Sequence, residues 1–555
     1  MPSLSHSARR ALLTAAINLA PRWHYGRLID ASKQPAEAQS ALLGNILSSN
    51  AETDFGKRHG FSRIKGVEDF RAAVPVQTYE DLRPHIERQE LTGAKSLTAE
   101  QPVFYHRTSG TVGAPKDIPV TKSGLERIKR HQRISAYAQS RGSKVFDGRI
   151  FAVTGQAIEG RMPGGSPFGS ASGLLYEAQS RFVRSRYVLP PALSAIEDYE
   201  ARYLAMAAFG LLEPNVSGIA TANPSTLTKL LSVINERSEQ LIEAVATGRL
   251  PDGEFGGDRL GGSLRADAAR AKELDAALGA KGQLTYRDIW PNLRGLVTWT
   301  GGSCGVSLAK LAESLPTRCQ VIELGYLASE LRGTVNVDIR SNVCLPMLLD
   351  SVFEFSERDA WEAGRADFLS LHELESRREY YLFVTTIDGL YRYDMNDVVR
   401  VTGMKNATPT LEFVQKGKGI TSITGEKLSE TQVLEAVNRA LADRDIQPEF
   451  FVMLADQDSA SYTLYVEARV PDVEQASDIA NDLDCRLRAA NIEYDGKRSS
   501  GRLAPLDLRW LRRGTGDSYR AERVAGGQRD AQFKYLHLQY AHECPFDFDG
   551  AAQRG

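Results

Sequence analysis

The sequence predicts an α/β fold in which a large N-terminal domain with several sheets precedes a smaller α+β C-terminal domain. Two observations lead to this prediction. Short apolar and β-branched runs, bounded by glycine or polar turns, alternate with helical patterns through the first 415 residues. Beyond residue 419, two strand-like runs and two amphipathic helical patterns recur on a smaller scale.

The elements of the large domain follow from periodicity and from turn residues. They are helices over 7–50, a mixed segment to about 98, a strand over 103–106, a small-residue loop over 108–116, a helix from 123, a long exposed loop over 155–173 that suits a lid, helices over 227–247 and 263–278, and strands over 295–299, 320–324, 334–337, 380–386 and 398–401.

The C-terminal domain is predicted from helices over 430–443 and 473–489 and strands over 449–454 and 461–470. Gly417 and Gly419 flank Lys418, a composition that suits an exposed hinge. We therefore predict a domain over 1–415, a hinge over 416–419 and a second domain over 420–555.

Composition excludes several classes of protein. Hydrophobic residues make up 42% and charged residues 25% of the chain, which is typical of a globular protein. The net charge of −2 offers no basic field for nucleic acid or anionic lipid, and no apolar run is long enough to span a membrane. The five cysteines are scattered and lack CxxC spacing, so we expect a reducing, cytoplasmic compartment.

The loop Thr108–Lys116 combines hydroxyls, small residues and one lysine, the groups that bind a polyphosphate. Gly110 and Lys116 have the spacing of a P-loop, but Pro115 replaces its second glycine and Asp117 its metal-binding hydroxyl residue. An ordinary P-loop ATPase is therefore disfavoured, and a plain surface loop stays an alternative.

Three further segments place polar or small residues beside predicted strands. Gly325–Glu330 offers an aromatic ring and a carboxylate suited to Mg²⁺, and Trp299–Ser303 permits close backbone approach to a flat ligand. Either Asp394 or Asp397 could accept hydrogen bonds from ribose hydroxyls. Each segment also has a purely structural interpretation: a buried tyrosine for the first, a plain turn for the second and a capped hairpin turn for the third.

Hydrolase and metalloenzyme patterns are weaker. Gly301–Gly305 fits the GxSxG nucleophile pattern around Ser303, but no triad partner can be singled out. No HExxH motif occurs among the nine histidines. His106 and Cys304 are expected to line or pack a pocket. Phe104, Tyr105, His106 and Trp299 suggest an aromatic or apolar ligand.

In order, these segments resemble the adenylate-forming superfamily, and more closely its auxin-responsive acyl acid amido synthetases. The resemblance covers most of the chain. It rests on Asn50–Phe61, Asp69–Val76, Tyr79–Leu82, the phosphate loop, Ile289–Leu293, Gly389–Tyr393 and Ile423–Lys427.

The resemblance implies a role for each matching residue. Thr108, Ser109, Gly110, Thr111 and Lys116 would hold the ATP phosphates, and Gly301, Gly302 and Ser303 would separate the adenine and acyl pockets. Tyr326 would lie against adenine, Ser329 near the α-phosphate, Glu330 would bind Mg²⁺, Asp397 would bind the ribose, and Lys534 would stabilise charge during adenylation.

The implied function is a ligase that forms carbon–nitrogen bonds. It uses ATP to adenylate a small carboxylic acid, releases pyrophosphate, then transfers the acyl group to an amine such as an amino acid and releases AMP. The small domain would pivot at 416–419 between the two half-reactions. No carrier domain follows Lys534, and neither a nucleic-acid nor a membrane partner is expected.

Four departures from the family pattern keep alternatives open. Val112 replaces a small hydroxyl residue, Leu331 and Asn396 each replace a glycine, and Tyr535-Leu-His537 follows Lys534 instead of proline and arginine. The alternatives are an acyl- or aryl-CoA ligase, a catalytically weakened member that binds nucleotide or acid, and a serine hydrolase built on Ser303.

Overall fold

A computed structural model of the chain describes residues 21–108, 115–196, 198–250, 264–301, 304–417, 419–468, 473–525 and 536–553. They form two compact units. The first comprises the described residues of 21–108, 116–301 and 308–414, and the second those of 415–553 together with 115 and 304–307. The predicted α/β class with several sheets is confirmed.

Helices and strands alternate through the first unit and recur in the second. The helices are α1 (21–31), α2 (Pro35–Ser49), α3 (Asp54–Arg58), α4 (Val67–Ala73), α5 (Tyr79–Thr92), α6 (Lys122–Gly142), α7 (Ala171–Glu177), α8 (Arg181–Arg184), α9 (Tyr199–Leu212), α10 (Ser225–Glu236), α11 (Ser238–Thr247), α12 (Ala268–Lys281), α13 (Tyr286–Ile289), α14 (Cys304–Leu311), α15 (Arg358–Glu362), α16 (Glu430–Ala442), α17 (Val473–Ala490), α18 (Ile492–Ser499), α19 (Thr515–Ala525) and α20 (Phe548–Ala551).

The strands are β1 (Pro102–Thr108), β2 (Lys116–Thr121), β3 (Arg149–Ala152), β4 (Gly160–Arg161), β5 (Pro167–Gly169), β6 (Val216–Ala220), β7 (Gly295–Thr298), β8 (Gln320–Glu323), β9 (Thr334–Asp338), β10 (Val343–Pro346), β11 (Ser351–Glu357), β12 (Leu369–Ser370), β13 (Glu379–Thr386), β14 (Tyr393–Lys405), β15 (Thr408–Lys416), β16 (Ile420–Thr421), β17 (Leu428–Ser429), β18 (Phe450–Asp456), β19 (Ser461–Glu467), β20 (Asp507–Trp510) and β21 (Leu538–Tyr540).

Three sheets organise the first unit. One is parallel, in the order β3-β6-β7-β8, another is mixed, in the order β2-β1-β5-β4, and the third is antiparallel, in the order β12-β11-β13-β14-β15. β7 is buried along its whole length, as expected for a parallel strand that is covered on both faces. β9 and β10 pair as a separate hairpin.

Two hydrophobic cores stabilise these sheets. One lies among α2, the helices before β1 and the antiparallel sheet, where the Phe55 ring stacks on Tyr391 with centroids 4.8 Å apart. The other surrounds the alanine-rich α9, whose residues Ala205, Ala207 and Ala208 are fully buried. Close packing of small side chains lets α9 approach its neighbours on all sides.

The predicted exposed loop over 155–173 is partly wrong. It contains β4 and β5, and β5 pairs in parallel with β1 through Tyr105–Phe168 and His106–Gly169. A Cβ on Gly169 would lie 2.3 Å from the carbonyl oxygen of Ala157. The glycine therefore permits close backbone packing here, where composition alone suggested mobility.

The second unit is α+β. Its sheet has the order β20-β19-β18-β21, and α16 and α17 pack together beside a core of its own. The buried carboxylate of Glu426 accepts hydrogen bonds from the backbone nitrogens of Ile423 and Thr424, at 2.6 and 2.8 Å, and from the Tyr462 hydroxyl at 2.6 Å. The motif Ile423–Lys427 is thus anchored within this unit.

Two findings concern the environment of the chain. All five cysteines are described and none forms a disulfide. Within the described residues, no helix has both the length and the apolar character needed to cross a bilayer.

Candidate active site

The loops that follow β7 and β8 meet at one edge of the parallel sheet, because neighbouring parallel strands end on the same side. Glu323, at the end of β8, is hydrogen-bonded to both of these loops. Its carboxylate accepts hydrogen bonds from the Thr300 backbone nitrogen at 2.7 Å and from the Gly325 nitrogen at 2.8 Å, and it also accepts one from the Thr300 hydroxyl.

The loop after β7 approaches neighbouring backbone closely. Trp299 donates its indole N–H to the carbonyl oxygen of Gly325, at 2.9 Å. A Cβ on Gly301 would lie 2.6 Å from the carbonyl oxygen of Phe413. Gly301 is therefore required by packing in this loop, whatever else it contacts.

Ser329 and Glu330 lie at the tip of a tight turn. Leu327 and Arg332 pair as an isolated antiparallel bridge, and the Ala328 nitrogen donates to the Leu331 carbonyl oxygen at 3.0 Å. The turn holds the Ser329 and Glu330 side chains next to each other at the end of the loop that follows β8.

Tyr326 is buried in the same loop. Its ring stacks on Phe413 at a centroid distance of 6.1 Å and an interplanar angle of 7°. Its hydroxyl donates to Oδ2 of Asp397 at 2.6 Å. Burial, and next the negative charge of Asp397, raise the pKa of Tyr326 well above the usual range, so the phenol stays protonated.

Asp397 owes its position to a β-bulge in β14. Tyr381 of β13 pairs with Val398 and Phe383 pairs with Asp394, so residues 395–397 all lie opposite one residue of β13. Asn396 adopts φ +45° in this bulge. Asparagine tolerates this left-handed conformation, which explains how it stands where the family has glycine.

Lys116 begins β2 and pairs with Thr108 of β1. The expected order of strand, loop and helix is therefore wrong: β2 intervenes, and α6 begins at Lys122 after its N-cap Thr121. Pro119 obscured this strand in the sequence, since proline is uncommon within strands. The Lys116 ammonium donates to the Tyr393 hydroxyl at 3.4 Å and lies 5.8 Å from the ring centroid of Tyr79.

Electrostatic effects on Tyr393 connect these residues. Burial first, and then the negative charge of Glu330, raise its pKa well above the usual range, and Asp397 adds to the effect. Glu330 has the same effect on Tyr326. The Lys116 ammonium thus contacts Tyr393, the Asp397 carboxylate contacts Tyr326, and the charge of Glu330 acts on both protonated tyrosines. This donor set suits a polyphosphate, a hard cation and a ribose.

The structure brings Lys116, Tyr326, Glu330 and Asp397 into one group, with Ser329 on the adjoining turn and Gly301 against Phe413. The other predicted site residues cannot be placed. Ser109, Gly110, Thr111, Gly302, Ser303 and Lys534 lie outside the described residues, and Thr108 is described by its backbone alone.

Sequence reasoning gave four residues of this site no role in it, although Tyr79 and Tyr393 belong to segments on which the resemblance rests. Glu323, Phe413, Tyr393 and Tyr79 hold the predicted residues in place. Glu323 could have been noticed, because it is an acidic residue at the end of an apolar run and two positions before Gly325. The other three are aromatic residues of ordinary strands or helices, and only their tertiary contacts distinguish them.

Models of three protein domains match this chain in order. They are the GH3 family N-terminal domain over residues 24–319, the GH3 family central domain over 345–416 and the GH3 family C-terminal domain over 431–542. The chain belongs to the GH3 family. The resemblance to acyl acid amido synthetases drawn from the sequence is thereby confirmed.

Curated GH3 relatives match along most of their length. A probable indole-3-acetic acid-amido synthetase of Oryza sativa subsp. japonica is 25% identical, over 90% of this chain and 86% of its own. A 4-substituted benzoates-glutamate ligase of Arabidopsis thaliana is 24% identical, over 92% of this chain and 93% of its own. These GH3 relatives join acids to amino groups.

Solved structures share the fold. The AtGH3.15 acyl acid amido synthetase in complex with 2,4-DB aligns with a TM-score of 0.64 and 21% identity, over 100% of this GH3 chain and 98% of that one. A 2-hydroxyisobutyryl-CoA ligase aligns with a TM-score of 0.50 and 14% identity, over 94% and 89% of the two chains. The GH3 chain therefore has the fold of adenylate-forming enzymes.

Proposed function

We propose that this protein is an ATP-dependent acyl acid amido synthetase. It adenylates a small carboxylic acid and transfers the acyl group to the amino group of an amino acid or another amine. The observation that carries the proposal is the grouping of Lys116, Glu330 and Asp397 around Tyr326 and Tyr393, in a chain of the GH3 family.

In the first half-reaction, a carboxylate oxygen of the acid bonds to the α-phosphorus of ATP, and the bond to the pyrophosphate oxygen breaks. Both reactants are anions, so the site must offset their repulsion. Lys116 would neutralise phosphate charge, and Asp397 would accept hydrogen bonds from the ribose hydroxyls. Tyr326 fixes the Asp397 carboxylate through the 2.6 Å hydrogen bond.

Mg²⁺ fits the same donor set. Magnesium in nucleotide sites is usually bound by one or two carboxylates together with phosphate oxygens. Glu330, on the half-buried turn beside Ser329, would supply that carboxylate. When bound, the ion offsets phosphate charge and polarises the leaving group.

In the second half-reaction, the amine nitrogen bonds to the acyl carbonyl carbon, and the bond between that carbon and the phosphate oxygen breaks. AMP leaves with the electron pair of the broken bond, and the nitrogen loses a proton. Lys534, by its match to the family's late lysine, would act in the first half-reaction. Residues 416–419 would form a hinge between a domain over 1–415 and a domain over 420–555. The enzyme would act in the cytoplasm. These three assignments stay predictions.

The experiment is pyrophosphate release with ATP, Mg²⁺ and a panel of carboxylic acids, with and without amino acids, followed by mass spectrometry of the products. We expect acid-dependent release and an amide whose mass equals acid plus amine minus water. A thioester formed only when coenzyme A is added would instead identify an acyl-CoA ligase. Ester cleavage without ATP would identify a hydrolase.

A further inference from the structure

A second feature of the first unit is a cavity between the turn that carries Glu330 and the N-terminal half of α6. The turn contributes residues 328–332, α6 contributes residues 124, 127 and 128, and His106 of β1 lies in its wall. Charged and polar side chains make up more than half of the lining.

His106 is the first unusual residue of this cavity. Its side chain is 2% exposed, and neither ring nitrogen has a hydrogen bond of good geometry among the described residues. The backbone of Gly169, in the paired strand β5, interacts weakly with the ring and acts to raise its pKa. Burial, and next the positive charge of Arg332, lower the pKa of His106 to about 3. The imidazole is therefore neutral at pH 7 and presents one N–H donor and one acceptor nitrogen.

Arg332 is the second unusual residue of this cavity. Its guanidinium donates one hydrogen bond, to the Ala328 carbonyl oxygen at 3.2 Å, and forms no ion pair with any described carboxylate. Burial lowers its pKa to about 10, so it stays a cation at pH 7. A partly buried cation with a single neutral partner is costly unless a ligand supplies the counter-charge.

Three carboxylates of the described chain line the cavity, and Glu330 is the one that we assign to Mg²⁺. Asp350 lies within ion-pair distance of Arg130 and Arg127. Oδ1 of Asp388 accepts hydrogen bonds from the backbone nitrogen and the hydroxyl of Thr121, both at 2.7 Å. None of the three forms an ion pair with Arg332 among the described residues, so a ligand can supply that counter-charge.

The groups of this cavity that lack an ionic or hydrogen-bonding partner in the described part of the chain indicate which kind of ligand it would bind. A guanidinium recognises a carboxylate through two parallel hydrogen bonds, and a neutral imidazole adds a third from its N–H. An acid with an apolar tail would cover His106 and Arg332 and leave both unpaired, which is the situation in which a binding site rejects an analogue most strongly.

We propose that the acyl substrate is a dicarboxylic acid, with one carboxylate activated beside Ser329 and Glu330 and the second bound by Arg332 and His106. This inference rests on the proposed function, because it assigns the cavity to the acid that is adenylated.

The test compares matched acids that differ in the second carboxylate: succinate against butyrate, glutarate against pentanoate, and benzene-1,3-dicarboxylate against benzoate. The measured quantity is kcat/KM for pyrophosphate release. We expect the wild-type protein to favour at least one diacid over its partner by 10²-fold or more, the scale for one charged contact in a partly dry site.

Substitutions then assign the preference to residues. Arg332→Met should lower the diacid-to-monoacid ratio at least 10²-fold, His106→Leu should lower it about 10-fold, and Arg332→Lys should restore part of it, because lysine keeps the charge and loses the paired geometry. Arg340→Met, at an exposed arginine of the same unit, is the matched control and should leave the ratio unchanged.

The readouts separate this inference from the proposed function. Release that favours the monoacids, with a ratio that Arg332→Met does not alter, would overturn the dicarboxylate inference and leave the synthetase intact. Binding of the same diacids without ATP, by calorimetry, supplies a readout independent of turnover. Diacid binding that needs Arg332, in a protein that releases no pyrophosphate, would support the subsite and contradict the proposed function; no binding and no release would contradict both.

Discussion

The hydroxyl of Tyr326 donates a 2.6 Å hydrogen bond to Oδ2 of Asp397, 71 positions further along the chain. Both side chains are buried, and the bond joins the loop after β8 to the bulge of β14. Because the pKa of Tyr326 is raised well above the usual range, first by burial, the phenol is a permanent donor to this carboxylate. The hydrogen bond therefore holds in one orientation the Asp397 carboxylate, which we propose binds the ribose.

Asp397→Ala should reduce kcat/KM for ATP roughly 10²-fold, a loss of about 3 kcal/mol in transition-state stabilisation. The substitution removes the carboxylate that we assign to the ribose. Asp397→Asn, which keeps the shape and one acceptor oxygen, should lose less. Pyrophosphate release at varied ATP measures the effect, and a normal rate for Asp397→Ala would exclude Asp397 from the nucleotide site.

Tyr326→Phe should raise the KM for ATP about 10-fold, because a hydrogen bond to a charged group contributes about 1.5–3 kcal/mol. If Tyr326 acts by orienting Asp397, the phenylalanine change should cost little in a protein that already carries Asp397→Ala. Additive losses in this double-mutant cycle would show that the two residues act separately.

Lys116→Ala should lower kcat/KM for ATP about 10²-fold, since it removes the ammonium beside Tyr393. Lys122→Ala is the matched control: Lys122 is exposed, and it begins α6 at the other end of β2. Equal losses in both variants would indicate a diffuse electrostatic effect. Binding of ATP by calorimetry should show the same difference as the rates.

Gly333→Ala should weaken ATP binding and destabilise the protein by about 1–3 kcal/mol. An added Cβ would lie 2.3 Å from Cδ1 of Tyr326 and force the ring away from its position. Gly44→Ala, in the exposed surface of α2, meets no atom within 4 Å and should stabilise by about 0.5–1 kcal/mol. Urea denaturation compares the two, and unchanged stability in Gly333→Ala would contradict the packing argument.

Motif residues were accessible from sequence because each lies in a short segment whose composition is unusual. Tyr326 follows Gly325 after an apolar run, Glu330 stands four positions later in the same segment, and Asp397 follows Asn396 before a β-branched run. Phe413 was not accessible, since it resembles any aromatic residue of a strand until its contact with Tyr326 is seen. Tyr393 lies in a segment that the resemblance singled out, but its contact with Lys116 is tertiary and had to be seen in the structure.

Prediction of secondary structure from the sequence failed where the hydrophobic periodicity does not distinguish one element from another. Helix α9 is apolar on nearly every face, so no amphipathic pattern marks it, and it was not predicted. β5 is short and begins with proline and ends with glycine, so the sequence predicted a loop there, although the strand pairs with β1. The juxtaposition of His106 and Arg332 is tertiary, and no local pattern encodes it.

His106 should make the protein less stable in acid. Its pKa is lowered from 6.5 to about 3 in the folded state, chiefly by burial, so its contribution to stability is complete above pH 6.5 and is lost as the pH falls toward 3. His131, with a pKa lowered to about 4, adds a loss of the same sign. Asp350 and Asp388 act oppositely, because burial raises their pKa values to about 6.

Opposing contributions make the total pH profile uninformative, so the test compares His106→Gln with the wild-type protein by urea denaturation at pH 7 and pH 5. Only the variant lacks the proton-linked loss at this position, so the difference in unfolding free energy should shift by about 2 kcal/mol in favour of the variant at pH 5. His372→Gln, at an exposed histidine, is the control and should show no such shift. A constant difference between wild type and His106→Gln at both pH values would mean that His106 takes up a proton in the folded protein as readily as in the unfolded chain, and that the cavity wall is hydrated.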